Sequence, residues 1–228
     1  MLMLDGKEHR SGLGFPCHYT VVLPERAAAG AESPLILCLH DLGESRETLL
    51  YEMGLGVLAD ELGVALLIPD GRRSCFLDMA HGPAWATFFA GEQVRRMQHD
   101  FRLRIDRTGV AGIGAGALGA LQICRRTGAT QFVCAAVDPA FEMVDRRDEA
   151  QWPRAQEWMG VFDNCAGRWT PECFRGTEGC LIGAEDRVSG CTARFGLCGW
   201  EQQALAGTRE EQWRRAVAWC AKRLKAEI

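Results

Sequence analysis

Apolar residues in this chain come in short unbroken runs separated by longer stretches of helical period. The runs at 35–40 (LILCLH), 64–69 (VALLIP), 108–113 (TGVAGI) and 131–137 have the length and continuity of strands buried on both faces, and 18–23 (HYTVVL) reads as an earlier strand. Spacing of three and four predicts helices over about 46–62, 91–101, 115–126, 149–160 and 208–225. The last carries Trp213, Val217, Trp219, Cys220 and Leu224 on one face. Shorter strands are expected near 180–183 and 199–203. Buried strands alternating with helices predict an α/β fold with a mostly parallel sheet covered on both faces. No repeat, low-complexity tract or linker interrupts the pattern, so 1–228 reads as a single domain. In such sheets ligands bind beyond the carboxyl ends of the strands, which directs attention to the loops after Leu39, Pro69, Ile113 and Ile182.

Composition narrows the function classes. The 26 basic and 30 acidic residues give a net charge of −4, and the arginine pairs are scattered, so nothing favours nucleic acid or an anionic membrane as a partner. The first twelve residues, MLMLDGKEHRSG, meet charge within five positions and read as neither a signal peptide nor an anchor, which gives a cytoplasmic expectation. Eleven cysteines make the chain cysteine-rich, yet their total is odd and no C-x-x-C occurs. Reduced thiols are expected, with no metal site and no cofactor.

The glycine-rich segment Val110–Ala120 follows a strand and opens a helix. A dinucleotide fingerprint uses Gly112, Gly114 and Ala117, but it falls mid-chain rather than in a first βαβ unit. Glycines that merely permit a sharp turn and close helix packing are a second reading. A third is the G-x-S-x-G nucleophile elbow, here Gly112-Ile113-Gly114-Ala115-Gly116 with glycine in the serine slot.

Flanking motifs bear on this choice. Leu39-His40-Asp41, Pro69-Asp70-Gly71, Arg73-Ser74-Cys75-Phe76-Leu77-Asp78-Met79 and Gly82-Pro83-Ala84-Trp85 stand in order before the glycine turn. With them the chain resembles the esterase D / tributyrin esterase family of α/β-hydrolases, relatives of S-formylglutathione hydrolases. The family's motifs run L-H-G, P-D-G, R-S-F-Y-T-D-M, G-P-x-x-W and A-G-L-S-M-G-G-Y-G-A. The resemblance covers about 15–225, is densest over 64–120, and implies an α/β-hydrolase fold whose segment 145–207 is shortened.

The resemblance also implies site positions. In the family a serine attacks an ester carbonyl, a histidine takes its proton and an acid orients the histidine. The nucleophile slot is Gly114. The acid slot is Asp186 through Gly183-Ala184-Glu185-Asp186, with a rival register that places Gly179 there. The histidine slot is Thr208. The oxyanion-hole donors are the backbone N–H groups of Leu42 and Ala115. His40, Asp41, His81 and Trp85 are the expected pocket residues, and Asp41 stands where the family has glycine, bringing a carboxylate toward the donors. Independent of any alignment, the last histidine is His99 and no serine lies near the turn, so a Ser…Asp…His triad in the family's order cannot form. The expectation is a non-hydrolytic relative that binds a small ester-like ligand or a protein partner. The alternative is an active ester or thioester hydrolase using other groups, such as His81 or a relocated cysteine.

Overall fold

The computed structural model describes residues 1–9, 12–79, 81–127, 132–140, 171–197 and 199–225. Eight strands form one sheet among them: β1 (Leu2–Glu8), β2 (Cys17–Leu23), β3 (Leu35–Leu39), β4 (Ala65–Pro69), β5 (Thr108–Ile113), β6 (Phe132–Val137), β7 (Glu178–Gly183) and β8 (Glu201–Ala204), in the order β1-β2-β4-β3-β5-β6-β7-β8. β1 and β2 are antiparallel, β2 is antiparallel to β4, and every pair from β4 to β8 is parallel.

The helices are α1 (Glu25–Ala28), α2 (Leu55–Leu62), α3 (Trp85–Phe88), α4 (Val94–Asp100), α5 (Ala115–Thr127), α6 (Glu185–Phe195) and α7 (Arg209–Lys225). Strand alternation divides the core cleanly. Leu35, Leu37 and Leu39 face the layer that holds Trp85, Phe89, Leu118, Leu121 and Val188, from α3 through α6. Ile36 and Cys38 face the opposite layer, with Leu55 and Leu58 of α2 and Trp213, Val217 and Cys220 of α7. Both faces of the central strands β3 to β7 are dry, as the unbroken apolar runs require.

Three local differences from the sequence pattern have physical causes. The helix expected over 46–62 divides into a π-helical turn at Thr48–Glu52 and α2, because Gly54 takes a left-handed conformation at φ +66°. The helix expected from 91 begins earlier, at Trp85, and passes through a π-helical turn at Phe89–Gln93 before α4. β1 carries Asp5, Gly6, Lys7 and Glu8, residues that disfavour strands, and so escaped the pattern; it is held by seven paired positions with β2. The helix expected at 149–160 lies outside the described residues. No helix among the described residues is long and apolar enough to cross a membrane.

From β3 the chain crosses to β4 on one side, while β5 lies on the other. The carboxyl ends of β3 and β5 therefore flank the point where strand order reverses, the place in an open parallel sheet where a crevice forms.

Candidate functional site

Gly114 sits at the tip of the turn from β5 into α5, with φ +57°. Its N–H donates to the Val137 carbonyl at 3.0 Å, and its own carbonyl accepts from the Ala140 N–H at 3.1 Å. Gly112 and Gly116 serve close packing: a Cβ on Gly116 would lie 2.0 Å from the Leu39 carbonyl oxygen, and one on Gly112 would lie 2.3 Å from the Gly116 carbonyl oxygen. The start of α5 thus presses directly against the ends of β3 and β5.

The space where a side chain on Gly114 would stand is taken. A Cβ there would lie 2.2 Å from both carboxylate oxygens of Asp41. Asp41 Oδ1 accepts from the Leu42 N–H at 2.8 Å and from the Ala115 N–H at 2.7 Å. Oδ2 accepts from the Arg209 guanidinium, which also faces Glu44 with its Nε 3.6 Å from that carboxylate. The Asp41 N–H donates to Glu44 at 3.0 Å. Two backbone donors from separate loops and one cation from α7 therefore converge on a single carboxylate. Such charge-assisted bonds are about twice as strong as neutral ones.

Beside this carboxylate lies a cavity of about 550 Å³, lined among the described residues by Asp41, Gly114, Asp138, Ala140, Arg187, Gly207, Arg209 and Gln212. Asp138, at the end of β6 with φ +39°, accepts from the Ala184 N–H at 3.3 Å and from Gln212 Nε2 at 3.0 Å. Both carboxylates of the cavity are thus already bonded by the protein. No cluster of side chains suited to a metal ion occurs among the described residues.

The other expected residues are distributed around this centre. His40 is buried at the end of β3; its Nε2 accepts from the Gly71 N–H at 3.0 Å, so Nδ1 carries the proton and donates to the Asp41 carbonyl at 2.8 Å. With Phe76 edge-on at 5.0 Å, the ring ties the loop after β3 to the loop after β4. Trp85 is buried in an aromatic cluster with Phe15 and Phe89 and does not line the cavity. His81 is exposed on the loop before α3, also away from the cavity lining. Asp78 is buried and accepts from both the N–H and the hydroxyl of Thr87, holding the first turn of α3.

Asp186 is exposed in the first turn of α6, and Asp138 is the carboxylate that faces the cavity on that side. Gly179 lies inside β7 beneath Trp200, whose ring would meet a Cβ there at 2.3 Å, so that position is strand interior rather than loop. Thr208 is the N-cap of α7: its N–H donates to Glu211 at 2.8 Å and its hydroxyl accepts from the Glu211 N–H at 3.2 Å, a reciprocal capping box. The next residue, Arg209, is the one that reaches Asp41.

Sequence reasoning missed Arg209, Asp138 and Gln212. Arg209 left a signal: a cation in the first turn of a helix opposes the helix dipole, so it calls for an acidic partner. Asp138 could have been found as a carboxylate ending a buried strand. Five of the described thiols are held in the protonated form by burial. Burial, then Glu201, pushes the Cys180 thiol up to about 12, and burial, then Glu8, does the same for Cys17. Burial likewise raises Cys38, Cys134 and Cys220.

The sequence matches no protein-family model and no curated protein. Solved structures do match. A fluorophosphonate-binding serine hydrolase of Staphylococcus aureus superposes with a TM-score of 0.77 at 15% identity, over 96% of this chain and 98% of that one. The chain has the α/β-hydrolase fold. A ferulic acid esterase gives 0.76 at 17% identity over 100% and 99% of the two chains. An S-formylglutathione hydrolase from Agrobacterium tumefaciens gives 0.71 at 15% over 97% and 95%. Gly114 stands at a tight turn from a parallel strand into a helix, the local context that the G-x-S-x-G reading requires.

Proposed function

We propose that this protein is a non-hydrolytic, esterase-like α/β-hydrolase whose reaction centre has become a fixed internal ion pair. The observation that carries the reading is the placement of the Asp41 carboxylate. It fills the volume of the absent Gly114 side chain and takes the Leu42 and Ala115 N–H groups, the two donors of an oxyanion hole. A substrate carbonyl would have to displace a carboxylate held by three donors, and an oxyanion formed there would face a like charge. Gly114 supplies no nucleophile. Thr208, in the histidine slot, is committed to capping α7 and has no accessible basic form at neutral pH. Asp186 in the acid slot then has no histidine to orient.

The retained function in this reading is binding. The cavity at the sheet edge takes a small, polar, ester-like molecule, or the surrounding surface takes a protein partner. Free, buried thiols support a reducing compartment, the cytoplasm.

Incubation with p-nitrophenyl acetate and butyrate, and with a short acyl thioester, tests the proposal. Rates equal to those of heat-denatured protein are expected. Turnover well above that control, abolished by His81→Ala, would establish the hydrolytic alternative instead.

A further inference from the structure

The first strand of the sheet is an edge with no partner on its outer side among the described residues, and it is built to accept one. β1 runs seven residues without proline or bulge, and its inner side is fully paired with β2. A long, regular edge strand is a template for further pairing, and proteins usually blunt one by shortening, bending or covering it. The opposite edge, β8, has four residues.

Large exposed apolar side chains gather at the same corner. Of the six among the described residues, Met1, Leu2 and Met3 lie on β1 or at its start, and Val57 lies on α2. The sulfurs of Met1 and Met3 lie 3.4 and 3.7 Å from where a Cβ on Gly56 would stand, so strand and helix present one continuous surface. Such a patch beside an unpaired edge marks an interaction site.

The strand's own charges identify the occupant. Asp5 and Lys7 lie on the same exposed face of β1. The Asp5 carboxylate is oriented by Thr20 Oγ1 and by Arg46 at 3.1 Å, yet its side chain is 79% exposed. In an antiparallel pairing of β1 with itself about Gly6, Asp5 of each copy falls opposite Lys7 of the other, and glycine sits on the two-fold axis. Met3 then lies opposite His9 of the second copy and beside the stem of its Lys7. Centring one residue earlier sets Asp5 against Asp5, and centring on Leu4 sets no opposite charges together. Opposite charges across a strand pair stabilise it and like charges destabilise it.

We propose that β1 pairs with β1 of a second copy of this chain, antiparallel about Gly6, in a two-fold dimer whose sheet runs continuously through both subunits. A closed two-fold contact uses up the β1 edge of both copies and leaves only the short β8 edges open.

Sedimentation equilibrium of the full chain over about 1–200 µM, a span that brackets weak specific interfaces, is the first test. Dimer formation is expected, and monomer throughout overturns the proposal. Lys7→Glu, far from the cavity, should raise the dimer dissociation constant at least about tenfold, while Lys7→Arg leaves it within about threefold. A dimer indifferent to Lys7→Glu also overturns it. Amide exchange locates the contact without any variant: protection of residues 3–8 should rise with concentration, whereas protection rising at β8 instead would place the interface at the wrong edge.

Discussion

Replacing Gly114 by alanine adds a single methyl group, yet the geometry makes this a severe change whose cost can be apportioned. At φ +57° a side chain carries a left-handed penalty of about 1–2 kcal/mol. The new Cβ would also lie 2.2 Å from both Asp41 oxygens, so the carboxylate must leave. Its departure strands the Leu42 and Ala115 N–H groups and unpairs Arg209, about 2–3 kcal/mol after discounting for the open cavity beside them. Gly114→Ala should therefore cost about 3–5 kcal/mol, well beyond an ordinary surface substitution. Asp41→Gly alone loses the same bonds and should cost about 2–3 kcal/mol. In the double variant those bonds are lost only once, so it should be no less stable than Gly114→Ala, with a coupling of about 2–3 kcal/mol. Urea unfolding followed by tryptophan fluorescence reads all four corners of the cycle. Additivity within about 0.5 kcal/mol would show that Asp41 and Gly114 do not contend for the same space.

Thr208→Ala removes the capping box of α7 and should lower stability by about 1 kcal/mol, measured by the same urea titration, with no effect on cavity ligands. Of the nine described cysteines, Cys173 is partly exposed and the other eight are buried. Those eight should resist an aromatic disulfide reagent at pH 8 in the native state and react only on unfolding. Burial also raises Cys17 and Cys180 from the ordinary thiol value of 9.0 to about 12, so the unfolded chain releases these protons first. Their contribution is complete below about pH 9 and is lost as pH rises toward 12; the urea midpoint should fall across that window. A flat midpoint between pH 9 and 11 would contradict the burial of those thiols.

The parallel core was legible because its strands are buried on both faces, and 35–39, 65–69 and 108–113 carry that burial as unbroken apolar runs. β1 was not, since an edge strand needs no apolar continuity and Asp5, Gly6 and Lys7 are tolerated there by pairing alone. The break at Gly54 depends on one left-handed residue inside an otherwise helical period. At the site, attention to Gly114 and to a carboxylate at Asp41 came from the family resemblance, because both stand at positions of its motifs. The pairing with Arg209 could not be read from the sequence, since 168 residues separate the partners and only the packing of α7 beneath the sheet edge brings them together. Trp85 and Asp78 stand in the segments that carry the sequence resemblance, and they build the core and fix α3 rather than line the cavity.

One carboxylate held by two particular N–H groups carries the proposed function, and amide hydrogen exchange measures that contact directly. In the native protein the Leu42 and Ala115 amides should exchange slowly, and in Asp41→Gly both should accelerate together by at least about tenfold, equivalent to about 1.4 kcal/mol. If the two amides already exchange freely in the native protein, or fail to respond to Asp41→Gly, the carboxylate does not occupy that position and the centre is open to a substrate.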